Sequence, residues 1–219
     1  MQRSVERMSR SHTTVVRLLD RYGRTFSDDA GITLRDKPSP LWRLLVLSLL
    51  LSARISSDIA VASAREVSRA GWRTPARMLD STWQQRVDAL GRGGYRRYDE
   101  RTATQLADAA QHVRARWYGD LRRMHADAGD DPDALARRLQ EVRGIGPAGA
   151  AIFLREAQAV WPGLRPYVDD LAVRGARALG LPTTPSRLAA LVDGEDLARL
   201  VAGCVRAARD DRVADVVRG

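Results

Sequence analysis

Residues 41–53 read LWRLLVLSLLLSA, an apolar run interrupted mainly by Arg43 and Ser48. A helix that is apolar on every face cannot lie on a surface; it must stand at the centre of a domain with other elements around it. The run is too short to cross a bilayer, which takes about 20 residues. The N-terminal stretch MQRSVERMSRSH has no apolar signal core either. A soluble cytoplasmic protein, nucleoid-associated if bacterial and monomeric, is therefore expected, with no membrane partner.

The elements around that helix also read as helical, and no segment shows sustained two-residue alternation. Residues 1–11 are polar and expected to fray. Val15, Val16, Leu18, Leu19 and Tyr22 mark a first helix over 13–22, followed by a loop through Pro40. Ser56 or Ser57 caps a helix over 58–70 that ends at Gly71. Thr74-Pro75 and Asp80-Ser81 open two short helices. Beyond the glycine-rich loop 91–95, residues 98–118 carry Ala103, Leu106, Ala110, Val113 and Trp117 as a buried stripe. Asp131-Pro132 is an N-cap followed by a first-turn proline. Helices over 147–159, from Asp169, over 186–192 and over 195–210 complete an all-α chain. Its 219 residues suffice for two helical lobes. The expected boundaries are 34–140 for a barrel-like lobe, and 1–33 with 141–219 for a lobe holding a hairpin (141–158) and an aspartate helix (169–179).

The formal net charge is +9, a balance that favours a polyanionic partner such as nucleic acid. Almost all of the basic residues are arginine, and Lys37 is the sole lysine. Arginine stays charged and cannot act as an amine nucleophile. The single cysteine, Cys204, excludes an intrachain disulfide and any cluster needing several thiolates. His12, His112 and His125 lack metal-ligand spacing, so no metal or other cofactor is expected.

Residues 142–150, VRGIGPAGA, join two helices through a tight turn. Gly144 and Gly146 lack the Cβ atoms that would block the bend or the approach of another backbone, and Ile145 between them can anchor the turn in the core. The amides at the turn and the positive end of the helix from Pro147 suit a phosphate. A plain helix–helix corner would use the same glycines. Apolar helices on both sides and the basic chain favour the phosphate reading.

These residues resemble the helix-hairpin-helix DNA glycosylase superfamily, in its endonuclease III branch. The stretch LLLSARISSD, Leu49 to Asp58, is similar to the family's helix ending in a Leu-Leu-Ser-Ala-Gln-Ala-Thr-Asp-like stretch. Gly93-Gly94-Tyr95 is similar to its Gly-Leu-Tyr loop, and Tyr167-Val168-Asp169-Asp170 falls where the family has Ala-Val-Asp-Thr. The resemblance runs in order over about residues 38–182. It implies that Asp169 is the catalytic aspartate, stabilising an oxocarbenium-like sugar and orienting or deprotonating water. An Asp at a helix start is also an ordinary N-cap, and the two roles are compatible.

The departures narrow the implied chemistry. Ala148 stands where bifunctional members carry the Schiff-base lysine. Ser48 is matched to the catalytic glutamate of adenine glycosylases. The four cysteines of the family's iron–sulfur cluster are missing. Where the family fills the gap left by a flipped base, this chain has Arg54 and Gly94. Arg54 can stack there, or simply cap its helix electrostatically. Tyr95 or Arg96 can substitute for the missing wedge, or Tyr95 can be a core aromatic. Arg92, Arg96, Arg97, Arg101, Arg143 and Arg174 are candidate phosphate contacts. The DNA-binding set is thus Gly144, Ile145, Gly146, Ala148, Arg54, Tyr95, Arg96 and Arg143, in a cleft with Asp169 at its mouth.

The expected activity is a cofactor-free, monofunctional DNA glycosylase acting on lesion-containing double-stranded DNA. The alternatives are a non-catalytic helix-hairpin-helix DNA-binding protein, and an abasic-site lyase or nuclease using another nucleophile.

Overall fold

The computed structural model describes the backbone of residues 2–218 and the side chains of residues 10–218. Every regular element among them is helical, and none is long and apolar enough to cross a membrane. The residues group into two compact units, Phe26–Trp161 and Met1–Thr25 with Pro162–Gly219.

In the unit Phe26–Trp161 the central helix is Pro38–Leu51, three residues earlier at its start than the apolar run because Pro38 can occupy its first turn. All its residues from Leu41 onward are buried except Arg43. Burial of each leucine stabilises the unit by about 1.5–3 kcal/mol. Arg43 reaches outward, donating from Nε to Ser68 Oγ at 3.0 Å and from Nη2 to the Gly31 carbonyl at 2.9 Å. Ser48 is buried, and its hydroxyl returns to the Leu44 carbonyl at 2.8 Å.

Helices Ser57–Arg69, Trp83–Arg92 and Asp99–Trp117 surround this core. Ser56 caps the first, accepting from the Ile59 amide. The cap of Trp83–Arg92 is Thr82 rather than Asp80 or Ser81. Its side chain accepts from the Gln85 amide while Gln85 Oε1 accepts from the Thr82 amide, a reciprocal capping box. The stripe Ala103, Leu106, Ala110, Val113 and Trp117 is buried as expected. A helix not anticipated from sequence, Leu121–Ala128, is capped by Asp120. The loop expected before Pro40 contains the short helix Phe26–Asp29.

Helices Pro132–Gln140 and Pro147–Ala157 flank the hairpin, and both pack inside this unit, the second against the central helix. The hairpin is therefore grouped with residues 26–140, not with the C-terminal segment as the expected boundary at 140/141 had it. Its second helix is buried over Ile152–Ala157, and that apolar face is satisfied by the central helix. Glu156 fixes the early boundary too. Its buried carboxylate accepts the Phe26 and Ser27 amides at 3.1 and 3.0 Å, tying the start of the unit to its end. Burial pushes this carboxyl above the ordinary range, against the opposing effect of the Ser27 and Phe26 bonds and of Arg155.

In the other unit the first helix runs Gln2–Tyr22, so residues expected to fray are helical. Helix Asp170–Ala178 packs along Leu197–Arg209 so closely that a Cβ on Gly175 would lie 1.7 Å from the Cys204 carbonyl oxygen. Leu200, Val201, Val205 and Cys204 are buried. A helix Asp211–Arg218, unforeseen in the sequence, follows.

Candidate nucleic-acid interface

The hairpin is built by local chemistry. Val142 and Ile145 are buried, and the Ile145 amide donates to the Val142 carbonyl at 2.9 Å, closing the turn. Gly144 has φ +94°, a region closed in practice to side chains. Its missing Cβ would stand 3.0 Å from Leu49 Cδ1 and 3.1 Å from Gln105 Cδ. Gly146 is extended, with open space where a Cβ would be. The helix from Pro147 has no side-chain cap. Its first intrahelical bond is Ala150 N–H to the Gly146 carbonyl, so the amides of Gly146, Ala148 and Gly149 have no acceptor among the described residues. Free amides at a helix start attract an anion.

Two concavities adjoin this turn. One, about 490 Å³, is lined by Arg101, Thr104, Gln105, Arg143, Gly144, Ile145 and Gly146. The other, about 370 Å³, lies between the end of the central helix (Leu49, Ser52, Ala53), Arg54, Tyr95, Tyr98, Arg101, Thr102, Gln105 and Gly144. The two share Arg101, Gln105 and Gly144, and together they form one arginine-flanked groove.

The structure brings most of the expected set to this groove: Gly144, Ile145, Gly146, Arg143, Arg54 and Tyr95. Arg54 is exposed and has no ion-pair partner among the described residues. Arg143 is exposed, with Nη1 at 3.2 Å from Asp108 Oδ2. Tyr95 lines the wall as a core aromatic. At 2% exposure it cannot project as a wedge, which corrects that expectation. Its hydroxyl accepts from Thr102 Oγ1 at 3.3 Å, and burial holds it above the ordinary tyrosine range, partly offset by that bond. Ser48 faces the core instead of the groove. Arg96 and Ala148 are exposed but line neither concavity. Arg92 is committed to Glu66 at 3.3 Å.

Thr104, Gln105 and Asp108 were not anticipated. Gln105 and Asp108 lie four and seven residues after Arg101, on the helix face opposite the apolar stripe, and that spacing was a usable signal.

Asp169 belongs to the other unit. It is the N-cap of helix Asp170–Ala178, its Oδ1 accepting from the Ala172 amide at 3.2 Å. Asp170 is exposed in the first turn. The chain's donor set does not fit a four-thiolate cluster, since the sole cysteine lies buried among helices, where desolvation pushes its thiol up to about 12.

The all-helical fold is shared with solved structures of a thymine-DNA glycosylase and an endonuclease III. It matches the structure of a thermostable thymine-DNA glycosylase with a TM-score of 0.57 and 13% identity, over 94% of this chain and 87% of that one. It matches a non-covalent endonuclease III–DNA complex with a TM-score of 0.52 and 13% identity, over 88% and 80%. What is shared at such identity is the fold. No family model matches the chain, and no curated protein matches it in sequence.

Proposed function

We propose that the protein is a monofunctional DNA glycosylase that hydrolyses the N-glycosidic bond of a damaged or mismatched base flipped out of double-stranded DNA. The observation that carries this reading is the hairpin. Unpaired amides of Gly146 and Ala148 lie beside a groove edged by Arg54, Arg101 and Arg143. That combination supplies directed donors for one phosphate and cations for its neighbours. The fold shared with a thymine-DNA glycosylase and an endonuclease III–DNA complex supports the same reading.

In this reading Asp169 carries the chemistry. Its carboxylate is the acceptor best suited to a cationic sugar, and the cap bond to Ala172 holds it in one rotamer. Cleavage is hydrolytic because Ala148 offers no amine and Lys37 is the only lysine side chain. The base leaves, water adds at C1′, and an abasic site remains.

The test is a panel of duplexes carrying single lesions. The expected product is a free base, with strand breaks only after alkali and no borohydride-trapped adduct. Asp169→Asn should lower the rate by roughly 10²–10⁴ with DNA binding retained, the scale of losing a positioned acid–base group. If no lesion in a broad panel is processed, the glycosylase reading fails. Breaks without alkali would favour a lyase.

A further inference from the structure

In the unit formed by Met1–Thr25 and Pro162–Gly219, the first helix carries more apolar side chains than the core uses. Val15 and Leu18 are buried, and Leu18 packs so tightly on helix Leu197–Arg209 that a Cβ on Gly203 would stand 2.8 Å from its Cγ. His12, Val16 and Leu19 follow one another at helical spacing and form a second stripe beside the buried one. Val16 is 44% exposed, which is rare for a large apolar side chain among the described residues.

This second stripe is one wall of a trough. The wider part, about 690 Å³, lies between Ser11 and His12 on one side and Arg177, Arg187 and the loop 180–184 on the other. The narrower part, about 340 Å³, runs between Val16 and Leu19 on one side and Leu191, Val192 and Asp193 on the other. His12, Ala190 and Leu191 line both parts, so the two are continuous. From Ser11 to Leu19 the trough follows roughly 12 Å of helix axis.

Its ends carry opposite charges. Arg177 and Arg187 are exposed at the Ser11 end, and neither has a carboxylate within ion-pair distance among the described residues. Asp193 is exposed at the Leu19 end and has no cation within that distance among them, whereas Asp196 beside it is held by Arg199 at 2.6 Å. Between the ends the lining is apolar, with His12 where the two parts join. A nucleic acid or an anionic membrane would bring phosphates to Asp193 and no cation to pair with it. An extended peptide would find no strand edge to bond its backbone, because no described residue is in a strand. A helix satisfies its own backbone groups and lays alternate turns of side chains into such a trough.

We propose that this trough docks an amphipathic helix of a partner protein, about two turns of which lie along Ser11–Leu19. The partner helix has carboxylates over Arg177 and Arg187, branched apolar side chains between Val16 and Leu191, and a lysine or arginine over Asp193. Carboxylates in its first turn and cations in its last agree with its own dipole, so it runs from the Arg187 end to the Asp193 end. The proposal does not depend on the DNA-binding reading, because every residue that it uses lies outside the unit that holds the hairpin.

The probe is a displayed library of helical peptides roughly 15 residues long, enough for a helix in water, randomised on one face and selected against the parent. Val16, Arg177 and Arg187 are exposed, so Val16→Asp and the pair Arg177→Glu with Arg187→Glu should keep a Tm near that of the parent. Enriched peptides should carry Asp or Glu in the first turn and Lys or Arg in the last. By fluorescence anisotropy they should bind Val16→Asp about tenfold more weakly than the parent. The paired arginine variant should also lose about tenfold, and peptides whose first-turn carboxylates are changed to lysine should recover that loss. The proposal is overturned if no enriched peptide distinguishes Val16→Asp from the parent. Enrichment of uniformly acidic peptides would overturn it as well, making the trough a polyanion site. So would a parent that sediments as a dimer which Val16→Asp dissociates, since a second copy of the chain would then fill the trough.

Discussion

Gly144 and Gly146 sit two residues apart in the hairpin, yet alanine at each should act on a different property. At Gly144 the left-handed φ of +94° disfavours any Cβ, by about 1–2 kcal/mol. The added methyl would also stand 3.0 Å from Leu49 Cδ1 and 3.1–3.2 Å from Gln105 side-chain atoms. These are flexible groups that can retreat a few tenths of an ångström, so the crowding adds about 1 kcal/mol, the low end for overpacking. Gly144→Ala should therefore cost about 2–3 kcal/mol, or roughly 4–12 °C in Tm at this chain length. At Gly146 the backbone is extended and nothing lies within 4 Å of a Cβ. Alanine there restricts the unfolded chain by about 0.4–1 kcal/mol, but Gly146 is the helix N-cap and alanine caps less well than glycine, so Tm should stay near the parental value. The same methyl stands beside the free amides, however, and should hold a phosphate off them. DNA affinity should fall by about tenfold, or 1.4 kcal/mol.

Melting by circular dichroism, paired with anisotropy on a duplex, separates the two effects. Equal losses of Tm in both variants would refute the conformational argument. Full DNA affinity in Gly146→Ala would refute the assignment of those amides to phosphate.

Two further outcomes follow from the packing. Gly175→Ala places a Cβ 1.7 Å from the Cys204 carbonyl oxygen, a backbone atom that cannot retreat without parting two helices. It should cost about 3 kcal/mol or more, and a variant with parental Tm would disprove the close approach of the two helices. Glu156 has a folded pKa raised above its ordinary 4.5, so its contribution to stability is full below that value and is lost as pH rises through the folded value. The Tm gap between the parent and Glu156→Gln should narrow from pH 4 towards pH 8; a widening gap would contradict the sign.

Much of the fold was legible because helices announce themselves locally. Asp131-Pro132, Thr74-Pro75 and Ser56 each cap the helix they were expected to cap, and the apolar run at 41–53 is the buried centre. The helix Leu121–Ala128 was missed because it buries only Leu121 and Met124, too few for a period to show. The unit boundary was misplaced because it depends on interactions between residues far apart in sequence. Nothing near Glu156 signals that it accepts the amides of Phe26 and Ser27.

The groove divides along the same line. The hairpin was readable because its requirements fall within a few consecutive residues: two glycines, an isoleucine anchor and a proline-led helix. Its walls were not, because they combine residues near 50, 100 and 144 whose facing sides only packing decides. Tyr95 shows the difference. The glycine loop before it suggested a projecting ring, but Leu90 bonds its amide at 3.0 Å and Thr102 its hydroxyl, turning the ring inward. Arg54, by contrast, remains exposed at the groove, where the proposed glycosylase reading needs a residue to fill the vacated base stack. Arginine there brings donors and a stacking plane but no apolar wedge.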